Sequence, residues 1–164
     1  MITIGGQSLI FEPGQVIIAI DAATSMEAIR PLSQRLIEAE LVAPDFLTHI
    51  MAREATFPTG LPTEPVGVAI PHTDPEHVHA SAMAVGVLSR PVDFGVMGAG
   101  DDEVTPVSVI FLLAIAPGTG HMNVLGSLIR LIQDAEFLGG LSNSSAPSIH
   151  AAIVDEFSKN SQNK

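Results

Sequence analysis

Three histidines and a carboxylate crowd into eight residues of this chain: His72, Asp74, His77 and His79, within the stretch VGVAIPHTDPEHVH that runs from Val66 to His79. An imidazole that is neutral near pH 7 can attack an electrophile, move a proton or ligate a metal. His72 differs from the other two in what precedes it. Val66 to Ile70 is a short run of small or branched apolar residues, the pattern of a buried strand, and Pro71 stops it because proline has no N–H to give to a sheet ladder. His72 therefore belongs at the end of a strand, which in an open α/β sheet is where binding crevices form. His77 and His79 follow Pro75 in a turn, where solvated polar residues are ordinary. The group has the ligand types of a zinc or iron site, but it matches no named metal signature, so a solvated turn is the simpler reading. His49 and His150 fall inside helical patterns and read as surface or half-buried polar residues.

Composition narrows the chemistry. The 164 residues carry 7 Lys and Arg against 18 Asp and Glu, a net charge of −11. Nucleic-acid binding is excluded on that balance, because neutralising phosphates requires Lys and Arg; a basic protein partner suits the chain better. There is no cysteine, and hence no disulfide and no thiolate zinc site. The longest wholly apolar run, Val109 to Ala116, is too short to cross a bilayer, and the start MITIGGQSLIF has no basic leader, so the expected compartment is the cytoplasm. Neither G-x-G-x-x-G, nor GK[ST], nor a G-x-S-x-G elbow occurs, which removes the common nucleotide and serine-hydrolase signatures.

The elements that must position His72 follow from periodicity. Residues 2 to 11 and 15 to 20 read as two short strands, or one strand with an ordered arm, around Glu12-Pro13-Gly14. Thr24 and Glu27 have the spacing of a capping box, and Met26, Ile29, Leu32, Leu36 and Ile37 then recur at helical spacing to about Leu41. Pro44 and Asp45 open a second helix with an inward stripe of Phe46, Leu47, Ile50 and Met51, and Arg53 and Glu54 close it. Phe57 to Pro65, FPTGLPTEP, is a loop that delivers the chain into the His72 strand. Ala82 to Leu88 is a further strand, Val92 to Phe94 a short edge piece after Pro91, and Val107 to Ala116 a central strand covered on both faces. His121 opens a helix whose buried face is Met122, Leu125, Leu128, Ile129 and Ile132; Pro147 to Phe157 forms the last one. The expectation is one α/β domain over residues 1–157, a mostly parallel mixed sheet sandwiched by helices, with a frayed tail at 158–164.

With these residues in view, the chain resembles the enzyme IIA proteins of the bacterial phosphoenolpyruvate:sugar phosphotransferase system, in the fructose/mannitol class. The likeness rests on GVAIPH at Gly67 to His72, Arg53-Glu54, FPTGL at Phe57 to Leu61, and HMNVLGSLIRLIQD beginning at His121, all in family order. FPTGL leading into VAIPH is most similar to the galactitol-type branch. The resemblance implies that His72 accepts a phosphoryl group from the phosphocarrier protein HPr and passes it to a cysteine on a IIB component, with the membrane IIC component reached only indirectly. It implies that His121 and Arg53 line the phosphoryl site, and that neither a metal nor an organic cofactor is needed. Thr73 stands where the family usually has glycine, which raises the question of whether the backbone there needs a positive φ.

The residues suit such a transfer. A phosphoryl group in flight spreads charge over its oxygens, so the site needs in-line positioning and N–H or cationic donors. His72 would attack, Thr73 would donate a hydroxyl, His121 an imidazole N–H and Arg53 a planar guanidinium. Each helper has a plainer reading: Arg53 as a cation complementing a helix C-terminus, His121 as a helix-start residue. Two rival functions remain, a regulatory IIA-like phosphohistidine module and a metal-dependent hydrolase using His72, Asp74, His77 and His79. For docking, the expectation is an apolar patch of Val78, Phe94, Val96 and Met97 ringed by Asp74, Glu76 and Asp93.

Overall fold

The computed structural model describes residues 1–100, 102–118 and 121–162; the side chains of His121 and of 160–162 lie outside the described residues. The chain opens with an antiparallel hairpin of β1 (Ile2–Ile4) and β2 (Gln7–Leu9). Gly5 and Gly6 make its turn with φ of 57° and 82°, values that favour glycine. Sequence reading missed this hairpin because each strand is only three residues long.

A five-stranded sheet forms the centre: β3 (Val16–Ile20), β4 (Gly60–Leu61), β5 (Gly67–Ala69), β6 (Ala82–Gly95) and β7 (Val104–Ala114), in the order β3-β6-β7-β5-β4. The expected mixed α/β sheet is present, but parallel pairs do not dominate it. β3 with β6 and β5 with β7 are parallel, whereas β6 with β7 and β4 with β5 are antiparallel. Apolar residues on both faces of a strand suggested parallel neighbours. Here β6 and β7 are buried on both faces although they are consecutive and antiparallel, because helices from elsewhere in the chain cover them. Pro91 does not end a strand either. It sits in a register irregularity between Val87 and Val92, after which pairing resumes at Val92 with Val107, so the two expected pieces are one 14-residue strand.

Helices α1 (Ser25–Glu38) and α2 (Phe46–Thr56) cover one face, while α3 (His121–Ile132), α4 (Ala135–Leu141) and α5 (Ala146–Gln162) cover the other together with the hairpin. The β7 run explains itself on this plan: Ile110, Leu112 and Ala114 pack towards α1 and α2, and Val109, Phe111, Leu113 face the opposite layer. At the start of α1 the Thr24 hydroxyl accepts from the Glu27 N–H at 3.2 Å and Glu27 accepts from the Ala23 N–H at 2.8 Å, a capping pair displaced by one residue on the return side. Pro31 lies within that helix. On α2 the inward residues are Phe46, Ile50 and Glu54, at successive i, i+4 positions. Two further differences concern the C-terminal part. α4 was not anticipated, its seven residues being too few to show a period. α5 continues to Gln162 where a tail was expected from Ser158, since no Gly or Pro interrupts it and Lys159 pairs with Asp155 at 3.0 Å.

β5 is the strand that leads into His72, and its entry depends on a close approach. A Cβ at Gly67 would lie 2.0 Å from the Pro106 carbonyl oxygen, which is backbone and cannot swing aside. Gly67→Ala should therefore cost about 3 kcal/mol, at the upper end of overpacking penalties. Gly14→Ala, with nothing within 4 Å of the new methyl, should leave stability nearly unchanged. Urea midpoints of the two variants check this; equal midpoints would show that β5 relaxes around the methyl.

Candidate functional site

β5 stops where Pro71 removes a donor, and the backbone is passed at once to β7: the Pro71 carbonyl accepts from the Leu113 N–H at 2.9 Å, and His72 forms a single parallel bridge with Leu113. His72 is 9% exposed. Its ring Nδ1 lies 2.8 Å from the Ile70 carbonyl oxygen. A carbonyl can only accept, so Nδ1 carries the proton and the lone pair of the neutral ring is on Nε2.

The same Ile70 peptide is held on its other side. Its N–H donates to the Thr59 hydroxyl at 3.1 Å and to the Thr59 carbonyl at 3.3 Å, because antiparallel pairing of β4 with β5 brings residue 59 opposite residue 70. Thr59 is in turn gripped by Glu54: its N–H donates to Oε1 at 2.9 Å and its hydroxyl to Oε2 at 2.9 Å. Glu54 and Thr59 are 5% and 2% exposed. Burial pushes the Glu54 carboxyl up to about 6, with the Thr59 hydrogen bonds pulling the other way. A continuous line of contacts thus runs from the end of α2 through Glu54, Thr59 and Ile70 to the His72 ring. From the sequence, Glu54 reads as a helix-end residue and FPTGL as part of a loop, without the link between them. The available signal was a carboxylate four residues beyond Ile50, on the apolar stripe of a helix.

Arg53, next in sequence to Glu54, points the other way. Its Nη1 is 3.4 Å from Asp74 Oδ1 and its guanidinium carbon lies 4.7 Å from the centre of the Phe57 ring, while Nε is buried without a hydrogen-bond partner. An exposed ion pair at that distance holds weakly, so Asp74 can be displaced by a stronger anion. Arg53, Thr73 and Asp74 line one groove of about 380 Å³ with His49, Ala52, Thr56, Phe57, Glu76 and His77, a size at the small end of ligand sites. His72 is not on the groove wall itself; Thr73, the following residue, is. Thr73 is 5% exposed, and the only non-glycine residues with positive φ among those described are Ala19 and Glu40, so no glycine-like backbone is required at 73. His121 is the first residue of α3, as expected, but its side chain lies outside the described residues.

The four-residue metal reading is not what the fold assembles. His79 turns its Nδ1 towards the Glu40 carbonyl at 3.3 Å, anchoring the turn to the end of α1. Among the described residues, the set of three or more ligand-type side chains that converges is Asp45, His49 and His77, without His72, Asp74 or His79. The expected docking patch also fails. Val78 and Phe94 are 5% and 1% exposed and pack in the core beneath α1 and α2, with Val96 and Met97 half-buried. The exposed apolar side chains include instead Phe57, on the groove, and Met122 beside His121. His150 fits the plain reading, with Nε2 3.0 Å from the Phe11 carbonyl and its ring against Phe11.

The family model described as phosphoenolpyruvate-dependent sugar phosphotransferase system, EIIA 2, matches residues 9–156. The chain belongs to that family. It is 32% identical over 135 residues to the PTS system 2-O-alpha-mannosyl-D-glycerate-specific EIIABC component of Escherichia coli, a match that covers 79% of this chain but only 20% of that relative. To the PTS system galactitol-specific EIIA component of Escherichia coli it is 26% identical over 112 residues, covering 68% of this chain and 73% of the relative. In fold it matches the complex of enzyme IIAMTL and phosphorylated enzyme IIBMTL from Escherichia coli with a TM-score of 0.73 at 19% identity, over 93% of this chain and 99% of that one. The mixed sheet with helices on both faces is thus the fold of EIIA proteins of the mannitol type. No helix among the described residues is long and apolar enough to cross a membrane.

In this EIIA chain the support beneath His72 should be visible in its pH dependence. Both folded and unfolded chains hold the Glu54 proton well below pH 4.5. Between 4.5 and about 6 only the folded chain still holds it, so this group's contribution to stability falls as pH rises through that window and is lower, by on the order of 2 kcal/mol, at pH 7. Glu54→Gln keeps an acceptor and a donor for Thr59 without the charge. Urea unfolding of wild type and variant at pH 4 and pH 7 should show the variant gaining on the wild type by about that amount; a difference independent of pH would show that Glu54 titrates as it does in solvent.

Proposed function

We propose that this EIIA protein is a cytoplasmic phosphoryl carrier in sugar uptake, taking its phosphoryl group from HPr on Nε2 of His72 and giving it to a cysteine of a IIB component. The observation that carries the proposal is the His72 ring, locked by the Ile70 carbonyl into the tautomer with its lone pair on Nε2, at the end of a strand beside a groove that contains Arg53. In the first transfer the N–P bond of the donor phosphohistidine breaks, its electron pair staying with the donor ring, as the bond from Nε2 to phosphorus forms. In the second, that bond breaks as sulfur bonds to phosphorus. Each step exchanges one bond for another, so the reaction balances without a redox partner.

Arg53 stabilises the charge on the moving oxygens, letting go of Asp74 as it does so, and its buried Nε gains a partner. Thr73 adds a hydroxyl, and His121, from the start of α3, an imidazole N–H. The protein partner docks over the groove, where exposed Phe57 supplies apolar area and Asp74 and Glu76 attract basic residues. For the sugar, the galactitol class or a related polyol is supported by FPTGL preceding VAIPH and by the galactitol-specific relative. The carrier need not touch the sugar, which is why the groove itself says nothing about its identity.

Intact-mass measurement after incubation with phosphoenolpyruvate, enzyme I and HPr should show one acid-labile phosphoryl group on the wild type and none on His72→Ala. A phosphoryl group retained at another residue would overturn the assignment. Arg53→Lys, which keeps the charge and loses the planar fork, and His121→Ala should each slow transfer by about 10²–10³-fold, as loss of one charge-stabilising donor does elsewhere. Wild-type rates in both would reduce the site to His72 and its backbone.

A further inference from the structure

We propose that Asp45, His49 and His77 form a binding site for a divalent metal of the zinc class, at the groove that His49 and His77 line. The site goes beyond phosphoryl transfer and uses side chains for which that reaction has no need. Asp45 sits at the start of α2 and His49 one turn later, so the i, i+4 spacing puts both on one face, with Asp45 Oδ2 3.0 Å from His49 Nε2. His77 comes from the 3₁₀ turn Pro75–His77 and places Nδ1 4.0 Å from Asp45 Oδ1. One ligand atom from each residue lies within 4.8 Å of the other two. Around a zinc ion with bonds of about 2.0–2.2 Å, neighbouring tetrahedral ligands stand roughly 3.3–3.6 Å apart, so closing the set asks for shifts of about 1 Å.

The frame that carries the ligands is already tied together. The Ala43 N–H donates to the His77 carbonyl at 2.9 Å, Val42 bridges Val78, and the His79 N–H donates to the Leu41 carbonyl at 2.9 Å. The chain before α2 and the chain around His77 are therefore held in register by backbone bonds, and the ligand spacing does not depend on a long free loop. Behind His77, Glu76 Oε1 lies 3.6 Å from Nε2, the ring nitrogen turned away from Asp45. A carboxylate behind a histidine ligand is the usual arrangement for fixing which nitrogen meets the metal. The two rings stack with centroids 3.6 Å apart at 15°, so seating a metal between them would turn at least one ring out of the stack. Two imidazoles and a carboxylate suit Zn²⁺, Co²⁺ or Ni²⁺ better than Mg²⁺ or Ca²⁺. Three protein ligands leave the remaining position to water, on the side of the groove that all of these residues line except Asp45.

The test is isothermal titration of the purified full chain with Zn²⁺ at pH 7.5, together with the absorption spectrum of the Co²⁺ form. We expect one equivalent of Zn²⁺ and a visible Co²⁺ band of tetrahedral or five-coordinate type. His49→Ala and His77→Ala should each weaken binding by more than about 100-fold, and Glu76→Gln by roughly 10-fold, the scale of losses behind a ligand. His72→Ala should bind Zn²⁺ as the wild type does, which separates this site from the phosphoryl acceptor whatever the phosphorylation assay shows. Absence of both the Co²⁺ band and the Zn²⁺ equivalent would overturn the proposal, and so would binding that survives both His49→Ala and His77→Ala or that disappears with His72→Ala.

Discussion

The Ile70 peptide group is held from both sides, and the geometry at His72 depends on it. Its N–H is taken by Thr59 and its carbonyl by the His72 ring. A strand that continued past Ile70 would spend that carbonyl on a neighbouring strand and leave the imidazole free to rotate. Pro71 has no N–H to extend the ladder, and its own carbonyl is claimed by Leu113. The hydrogen bond that sets the ring's tautomer is therefore anchored to a peptide that cannot move without breaking the contacts of Thr59 and Glu54. An exposed loop histidine could have the same chemistry but not the same fixed direction.

Arg53 and Glu54 divide two tasks between adjacent positions of one helix. Successive residues of a helix point about 100° apart, so one can enter the core while the other reaches the groove. Glu54 goes inward and has its charge disfavoured by burial. Arg53 rests on Phe57 and meets Asp74. In a chain of net charge −11, a guanidinium beside the groove makes one local region attractive to an anion while the surface as a whole repels it. The last turn of α2 accordingly governs both the support of the imidazole and the charge on the groove wall.

The sheet supplies the platform through an arrangement that is neither all parallel nor all antiparallel. β6 and β7 form a long hairpin through the middle, and β5 is laid parallel to β7 so that the carboxyl ends of both strands come to the same edge. Leu113 then lies beside His72, and the chain leaving β7 returns through α3, which begins at His121. His72 thus follows β5 and His121 follows β7 in the chain, and the parallel pairing sets those two strands side by side although 49 positions of sequence lie between the two residues.

Much of this was legible in the residues alone. The apolar run ended by Pro71 placed His72 at a strand end; the Thr24 and Glu27 pair marked the start of α1; the inward stripe of α2 was readable from Phe46 and Ile50; and GVAIPH, Arg53-Glu54 and FPTGL in order pointed to the family. These are signals of local sequence, set by proline's missing donor, side-chain periodicity and capping. What only the tertiary structure decided depends on residues far apart. The direction of β6 against β7 rests on which helices cover them, not on their own composition. Val78 and Phe94 read as a docking patch in the sequence because apolar residues in turns and strand ends do not announce which way they face, whereas in the fold both are buried. Glu54 looked like a helix-end charge until Thr59 closed over it, and the convergence of His77 with Asp45 and His49, rather than with His72, follows from backbone bonds between residues 41–43 and 77–79 that no local pattern records. The position of His72 after an apolar run and a proline was a matter of sequence; which of its ring nitrogens keeps the lone pair was a matter of the Ile70 carbonyl, and hence of the fold.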